Sequence, residues 1–209
     1  MVRLNNIKGV WGEAARSVEV SNRDWALLAA GGLAALSAPT QIVVAAEYLS
    51  IEQAQKSLFP AADRFDGVIL ALNPAQKQAV ASLAGPQPPH RSLRSWKALR
   101  GDELLGYVFV DEVVGRQDFI TYAAGIDPAG RLGTLEVLAY RESHGGEVRS
   151  DAWRHQFAGR QKLDQLRFEA DIKNIAGSTL SCGHVTQGVR WLVALWEVTL
   201  RPDATVPAA

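Results

Sequence analysis

Four runs of strand-forming residues, joined by short turns, constrain the fold of this chain more than any other feature of its sequence. The runs are rich in β-branched and aromatic residues, and they are Ser95–Leu99, Leu105–Val114, Asp118–Gly125 and Leu132–Arg141. Turn-forming pairs such as Gly101-Asp102, Gly115-Arg116 and Asp127-Pro128 separate them. Because connections this short join neighbouring antiparallel strands, we predict a meander of four strands.

Helical patterns lie on both sides of these strands. Ser50-Ile51-Glu52-Gln53 has the capping-box pattern, and the helix that begins there should end before Pro60. A second helix is predicted to begin at Asn73-Pro74 and to end at Gly85. Near the C-terminus, four apolar residues at helical spacing form one face, and they are Val185, Val189, Leu192 and Trp196. Helices, then a sheet, then helices predict an α+β fold of antiparallel hairpins with packed helices.

An uncharged segment precedes these elements and indicates export. Trp25–Ala46 carries no charge over 22 positions, about the length of a membrane-spanning helix. Basic residues lie before it and Glu47 lies after it, an asymmetry that keeps the N-terminus in the cytoplasm. We predict that residues 1–46 form a signal peptide or membrane anchor with an apolar helix, either cleaved near Ala45-Ala46 or retained. Residues 47–209 then form one periplasmic domain. A buried, alanine-rich core helix is the alternative.

Charge and cysteine content exclude several classes of protein. Lys and Arg total 22, and Asp and Glu total 22, so the chain lacks the excess of positive charge expected of a nucleic-acid binder. The single cysteine, Cys182, excludes an intramolecular disulfide and any site with several cysteine ligands. This cysteine is predicted either to be buried against the sheet or to be a reactive thiol near a helix start.

The segment before the last helix has the composition of an anion site. Asn174–Cys182 contains Gly177, which permits close approach of backbone, followed by the hydroxyl residues Ser178, Thr179 and Ser181. The amides of a first helical turn lack partners within the helix, and they stabilise a negative group together with the helix dipole. An ordinary serine or threonine cap is the alternative interpretation of the same residues.

The sequence of this segment also resembles a known family. Asn174–Val189, NIAGSTLSCGHVTQGV, resembles the Ser-Gly-Ala-Thr signature of the FMN-binding domain family. The family includes the FMN-carrying subunits of Rnf complexes and of the sodium-pumping NADH:quinone oxidoreductase, and the flavin domain of the nitrous-oxide-reductase regulator. In that family a threonine carries FMN through a phosphoester bond, which an FAD:protein FMN transferase makes outside the cytoplasm. The resemblance implies that this threonine is Thr179.

The resemblance extends upstream, so that ordered matches cover roughly residues 95 to 195. Leu105–Phe109 resembles the family's Leu-Gly-Tyr strand, and Gly125-Ile126-Asp127 with Gly130 resembles its hairpin. Arg141–Glu147 stands where other members have Glu-Thr-Pro-Gly. A tryptophan and a Gln-Phe-x-Gly motif follow in the family, and here they are Trp153 and Gln156–Gly159. The resemblance therefore implies an FMN-binding-domain-like fold.

Three positions of the motif depart from the family pattern. Ala176 replaces the usual serine, Ser178 replaces the usual alanine, and Lys173 stands where many members have aspartate. Asp171 lies two residues before Lys173 and is a candidate substitute for that acid. Ser178 and Ser181 are further hydroxyls, but the register of the motif favours Thr179 for the attachment of FMN.

The resemblance implies an exported flavoprotein that relays electrons between membrane-associated redox proteins, with the transferase as its maturation partner. It predicts covalent FMN as cofactor and neither a metal nor a catalytic residue of the protein's own, since the flavin carries the chemistry. The predicted cofactor-binding residues are Thr179, Gly177, Ser178, Leu180, Ser181, Glu142, Ser143, His144 and Gly145. The alternatives are a non-redox exported binding module and a flavin reductase with non-covalent FMN.

Overall fold

The computed structural model of the protein describes residues 46–86, 92–141 and 146–202. All of them lie in the compact unit Val43–Ala209. The predicted N-terminal helix before Ala46 lies outside the described residues, and so do four predicted site residues, Glu142, Ser143, His144 and Gly145.

Six antiparallel strands form one sheet, in the spatial order β1-β6-β5-β4-β3-β2. The four predicted strands are confirmed, and each observed end lies within two residues of its predicted position. Two further short strands lie at the edges of the sheet. The strands are β1 (Ala46–Glu47), β2 (Arg64–Val68), β3 (Arg94–Arg100), β4 (Glu103–Val114), β5 (Phe119–Ile126) and β6 (Leu132–Tyr140). Strands β3 to β6 are joined in sequence order, so the predicted meander is also confirmed.

Four α-helices accompany the sheet in the described ranges, and they are α1 (Ile51–Leu58), α2 (Pro74–Ala84), α3 (Asp151–Arg154) and α4 (Thr179–Thr199). Helices α1 and α2 confirm their predicted starts, because Ser50 and Asn73 each form a complete capping box. The segment between β6 and α4 holds α3 and three short 3₁₀ turns. The predicted α+β class is therefore confirmed.

The two faces of the sheet are covered by different helices. Strand residues alternate between the faces, so Phe109 and Tyr122 pack in the main core with α2 and α4. Their neighbours Val110 and Ala123 pack on the opposite face against Ala54 of α1. The four apolar residues predicted to form one face of α4 are all buried, and they are Val185, Val189, Leu192 and Trp196. None of the described helices is long and apolar enough to cross a membrane.

Two glycines of the strand motifs leave room for one aromatic ring to pack on the sheet. Gly106 lies at a break in the β3–β4 register with a φ of 156°. A Cβ placed there would lie 2.5 Å from the carbonyl oxygen of Ile126 and 2.6 Å from the Phe59 ring. A Cβ at Gly125 would lie 3.0 Å from the same ring. These glycines let Phe59, directly after α1, pack on the sheet, which fixes α1 against β4 and β5.

Candidate functional site

A tight turn leads the chain into α4 at the predicted anion site. The N–H of Ser178 donates to the carbonyl of Ile175 over 2.9 Å, and Gly177 adopts a φ of 86° in the third position of that turn. This positive φ is the conformation that favours glycine in a type II turn. A Cβ at Gly177 would meet nothing within 4 Å, so space is open beside the backbone at this point.

The three hydroxyls of this segment differ in their exposure. Ser178 is 2% exposed and its Oγ donates to Oε2 of Glu147 over 2.7 Å. Ser181 is 4% exposed and its Oγ lies 3.1 Å from the hydroxyl of Tyr140. Thr179 is exposed. Among Ser178, Thr179 and Ser181, only Thr179 therefore presents its hydroxyl at the surface, where a modifying enzyme could reach it.

Among the described residues, the first turn of α4 has backbone donors that lack an acceptor. The first hydrogen bond of the helix runs from the N–H of Cys182 to the carbonyl of Ser178 over 2.9 Å. Within the described part of the chain, the N–H groups of Thr179, Leu180 and Ser181 have no acceptor. Ser178 makes no side-chain cap, unlike the N-cap residues of α1 and α2. In the described part of the chain, α4 therefore begins without the ordinary serine cap.

Asn174 is a site residue that was not predicted from the sequence. Its Nδ2 donates to Oγ1 of Thr179 over 2.8 Å. Its Oδ1 is buried and has no hydrogen-bond partner among the described residues. A short polar side chain just before a helix start is typical of turn and capping residues, and this was the only sequence signal for Asn174. Asn174 therefore fixes the orientation of the Thr179 side chain and holds an unused acceptor beside it.

The described ends of the predicted cofactor loop both reach the start of α4. Tyr140 lies before the loop and contacts Ser181, while Glu147 lies after it and accepts the hydrogen bond from Ser178. A single residue separates each of these contact residues from the four site residues outside the described ranges. The sequence places Glu147 in the loop but does not predict its contact with Ser178. The described residues on both sides of the loop therefore contact the start of α4.

Leu180, another predicted site residue, is 51% exposed and places an apolar side chain next to Thr179. An exposed leucine in the first turn of a helix buries little of its surface in the core. It is therefore available to pack against a bound molecule or a partner.

The motif residues after β6 hold the chain that leads into the site. Trp153 Nε1 donates to the carbonyl of Lys173 over 2.9 Å, and Oε1 of Gln156 accepts from the N–H of Lys173 over 2.7 Å. The Lys173 ammonium donates to the carbonyls of Glu169 and Ala170. The side chain of Lys173 thus turns back along the preceding segment, while its backbone is fixed by Trp153 and Gln156.

Asp171, the candidate substitute for the missing acid, is engaged elsewhere. The guanidinium of Arg167 donates to Oδ2 of Asp171 over 2.7 Å, and the N–H of Arg167 donates to the same oxygen. The hydrogen bond from Arg167 lowers the pKa of Asp171 from 3.8 to about 2. This carboxylate therefore stabilises the segment that leads into the site as an ion pair.

The stability contributed by Asp171 should depend on pH. Because its pKa is lower in the folded protein than in the unfolded chain, ionisation of Asp171 favours folding above about pH 4. That contribution is lost as the pH falls from about 4 to about 2. We expect the midpoint of thermal unfolding of Asp171→Asn to lie below that of the wild type at neutral pH. The difference should shrink between pH 4 and pH 2, and a difference that persists unchanged at pH 2 would contradict this assignment.

The remaining polar groups of the first turns have structural partners. Cys182 is fully buried, and burial raises the pKa of its thiol, which favours the buried alternative over a reactive one. Nδ1 of His184 lies 2.6 Å from the carbonyl oxygen of Val114, so the imidazole ties α4 to the end of β4. Cys182 thus lies in the core, and the exposed His184 is bonded to the end of β4.

The comparisons with known proteins add no assignment to this geometry. No protein-family model matches the chain, and no curated protein matches it.

Proposed function

We propose that this protein is an exported flavoprotein that carries FMN on Thr179 through a phosphoester bond and relays electrons. The observation that carries the proposal is the exposed residue Thr179 at a helix start whose first backbone donors lack an acceptor among the described residues. The resemblance to the FMN-binding domain family supplies the identity of the anion. An FAD:protein FMN transferase is the proposed maturation partner.

The residues at this site fit a phosphate linked to Thr179. A phosphodiester keeps one negative charge, which the N–H groups of the first turn and the helix dipole stabilise. Gly177 leaves open space on one side of the threonine, and Oδ1 of Asn174 is an acceptor without a partner among the described residues. A flavin carries hydroxyl and N–H donors, so an unused acceptor beside its attachment point suits this cofactor.

The attachment step requires an accessible nucleophile on this chain. The Thr179 oxygen would form a bond to the FMN phosphorus of FAD, the phosphoanhydride bond would break, and AMP would leave. The hydroxyl proton would be lost in the same step. Asn174 holds the threonine side chain over 2.8 Å and thereby restricts its rotamer for this reaction. The hydroxyls of Ser178 and Ser181 are buried and are not accessible in this way.

Bound FMN supplies the redox chemistry, and the protein supplies orientation and an electrostatic environment. Covalent attachment to Thr179 prevents loss of the cofactor from the protein in a compartment that holds no pool of free FMN. The apolar segment 25–46 places the domain on the periplasmic side in this proposal, by cleavage or as an anchor. The proposed electron donor and acceptor are therefore redox proteins of the membrane.

The visible absorption of the purified protein tests this proposal against its alternatives. Protein co-produced with the transferase in an exported form should show a flavin spectrum that stays with the polypeptide after denaturation. Protein produced without the transferase should be colourless. Flavin that is released by denaturation would support the non-covalent reductase instead. Folded protein without flavin under both conditions would support the binding module.

A further inference from the structure

The hydroxyl of Ser178 points away from the helix that it begins. A serine at an N-cap ordinarily accepts a hydrogen bond from the second or third N–H of its helix. Here the Ser178 hydroxyl instead donates to Glu147 over 2.7 Å. The ψ of Ser178 is 18°, whereas the capping residues Ser50 and Asn73 have ψ values of 164° and 166°. Ser178 is thus held in a conformation in which its own side chain does not cap the amides of Leu180 and Ser181.

We propose that Glu147 is a positioning residue that prevents α4 from capping itself. By holding the Ser178 hydroxyl, Glu147 keeps the first-turn N–H groups open for the phosphate on Thr179. This inference rests on the proposed function. It assigns a joint role to Ser178, which departs from the family pattern, and to Glu147, which lies 31 residues earlier in the chain. Without Glu147, Ser178 can turn to the extended backbone conformation of a capping residue, and its hydroxyl then competes with the phosphate for the same donors.

The negative charge of Glu147 disfavours the phosphate, whereas its hydrogen bond to Ser178 favours it. A carboxylate close to the start of α4 repels a phosphate, so its removal alone would favour attachment. Glu147 is exposed, however, and solvent and salt screen the interactions of exposed charges. Self-capping uses the same N–H groups as the phosphate and is not screened in this way. We therefore expect loss of the hydrogen bond to outweigh loss of the charge.

A set of four variants separates the two effects. Glu147→Gln keeps an acceptor for Ser178 and removes the charge, so FMN incorporation should match or exceed the wild-type rate. Glu147→Ala frees the Ser178 hydroxyl, and incorporation at limiting transferase should slow about five-fold, the size of a serine N-cap contribution. Ser178→Ala removes the competing hydroxyl, so its rate should exceed that of Glu147→Ala. The double variant Glu147→Ala/Ser178→Ala should be as fast as Ser178→Ala.

Intact mass measured over time gives the rate of incorporation for each variant. Recovery in the double variant is specific to competition by the hydroxyl, because a merely structural bond would be lost equally in both single variants. A rate for Glu147→Ala equal to or above wild type would overturn the inference. So would a double variant as slow as Glu147→Ala. In either case a wild type that still acquires FMN would leave the proposed function intact.

A second measurement uses the protein without flavin and inorganic phosphate as the probe. In the wild type and in Glu147→Gln, phosphate should shift the amide resonances of Leu180 and Ser181. In Glu147→Ala the same shifts should require about five-fold more phosphate. The amide of Gly67, on the edge strand β2, serves as the control and should not move with phosphate in any variant. Equal phosphate dependence in Glu147→Ala and the wild type would contradict the inference without reference to the transferase.

Discussion

Replacement of Thr179 by alanine is expected to abolish covalent attachment of FMN, whereas alanine at Ser178 or Ser181 should leave it in place. The reason is exposure: Thr179 is at the surface, while the two serines are 2% and 4% exposed and bonded to Glu147 and Tyr140. Intact mass of each variant, co-produced with the transferase, measures the gain of one FMN less one water. A complete loss in Thr179→Ala alone is the predicted pattern.

Two further variants control this experiment. Thr179→Ser keeps a hydroxyl at the exposed position and should retain some attachment, because the nucleophilic group is conserved. Thr186→Ala removes a fully buried hydroxyl that donates to the carbonyl of Cys182 within α4, and it should attach FMN as the wild type does. Modification that persists in Thr179→Ala, or that disappears in Ser181→Ala with folding intact, would contradict the assignment of the site.

Alanine at Gly106 is expected to cause a large loss of stability through the addition of a single methyl group. The new Cβ would lie 2.5 Å from the carbonyl oxygen of Ile126, and that backbone atom cannot move without disturbing β5. The new Cβ would also lie 2.6 Å from the Phe59 ring. In addition, the φ of 156° at this position is one that alanine rarely adopts. Overpacking and backbone strain together should lower the free energy of unfolding by about 4 kcal/mol. Urea denaturation measures this value.

Gly67→Ala is the matched control for Gly106→Ala. Gly67 lies on the edge strand β2, and a Cβ there would meet nothing within 4 Å. We expect its free energy of unfolding to stay within about 0.5 kcal/mol of the wild type, as for most surface substitutions. A Gly106→Ala protein as stable as Gly67→Ala would show that Phe59 and β5 can move aside. The packing of Phe59 against position 106 would then not explain why the Leu-Gly-Tyr motif has a glycine there.

The parts of the fold that were predictable carry strong local signals. Strands β3 to β6 are separated by turn-forming residues, and α1 and α2 begin with capping boxes that the structure contains. Strand β2 was missed because Arg64–Val68 includes Asp66 and Gly67 and is largely exposed. It is a strand because it pairs with β3, which is a long-range contact that no local pattern records.

The site likewise has a part that was predictable from local sequence and a part that depends on long-range contacts. Gly177 and Thr179 follow from the order of residues at a helix start, and the resemblance selected Thr179 among the hydroxyls. The hydrogen bonds that support the site span larger distances in sequence, from Glu147 to Ser178 and from Tyr140 to Ser181. Only the packing of β6 and its following segment against the start of α4 brings these residues together. Ser178, a departure from the motif, likewise gains its partner Glu147 only through the fold.

The most direct test of the central claim is the fragment mass spectrum of the tryptic peptide Asn174–Arg190 from wild-type protein matured by the transferase. This peptide holds Ser178, Thr179, Ser181 and Thr186. We predict one FMN less one water on the peptide, with the fragment ions placing it on Thr179. An unmodified peptide from folded, exported protein, or FMN on another hydroxyl, would contradict the proposal.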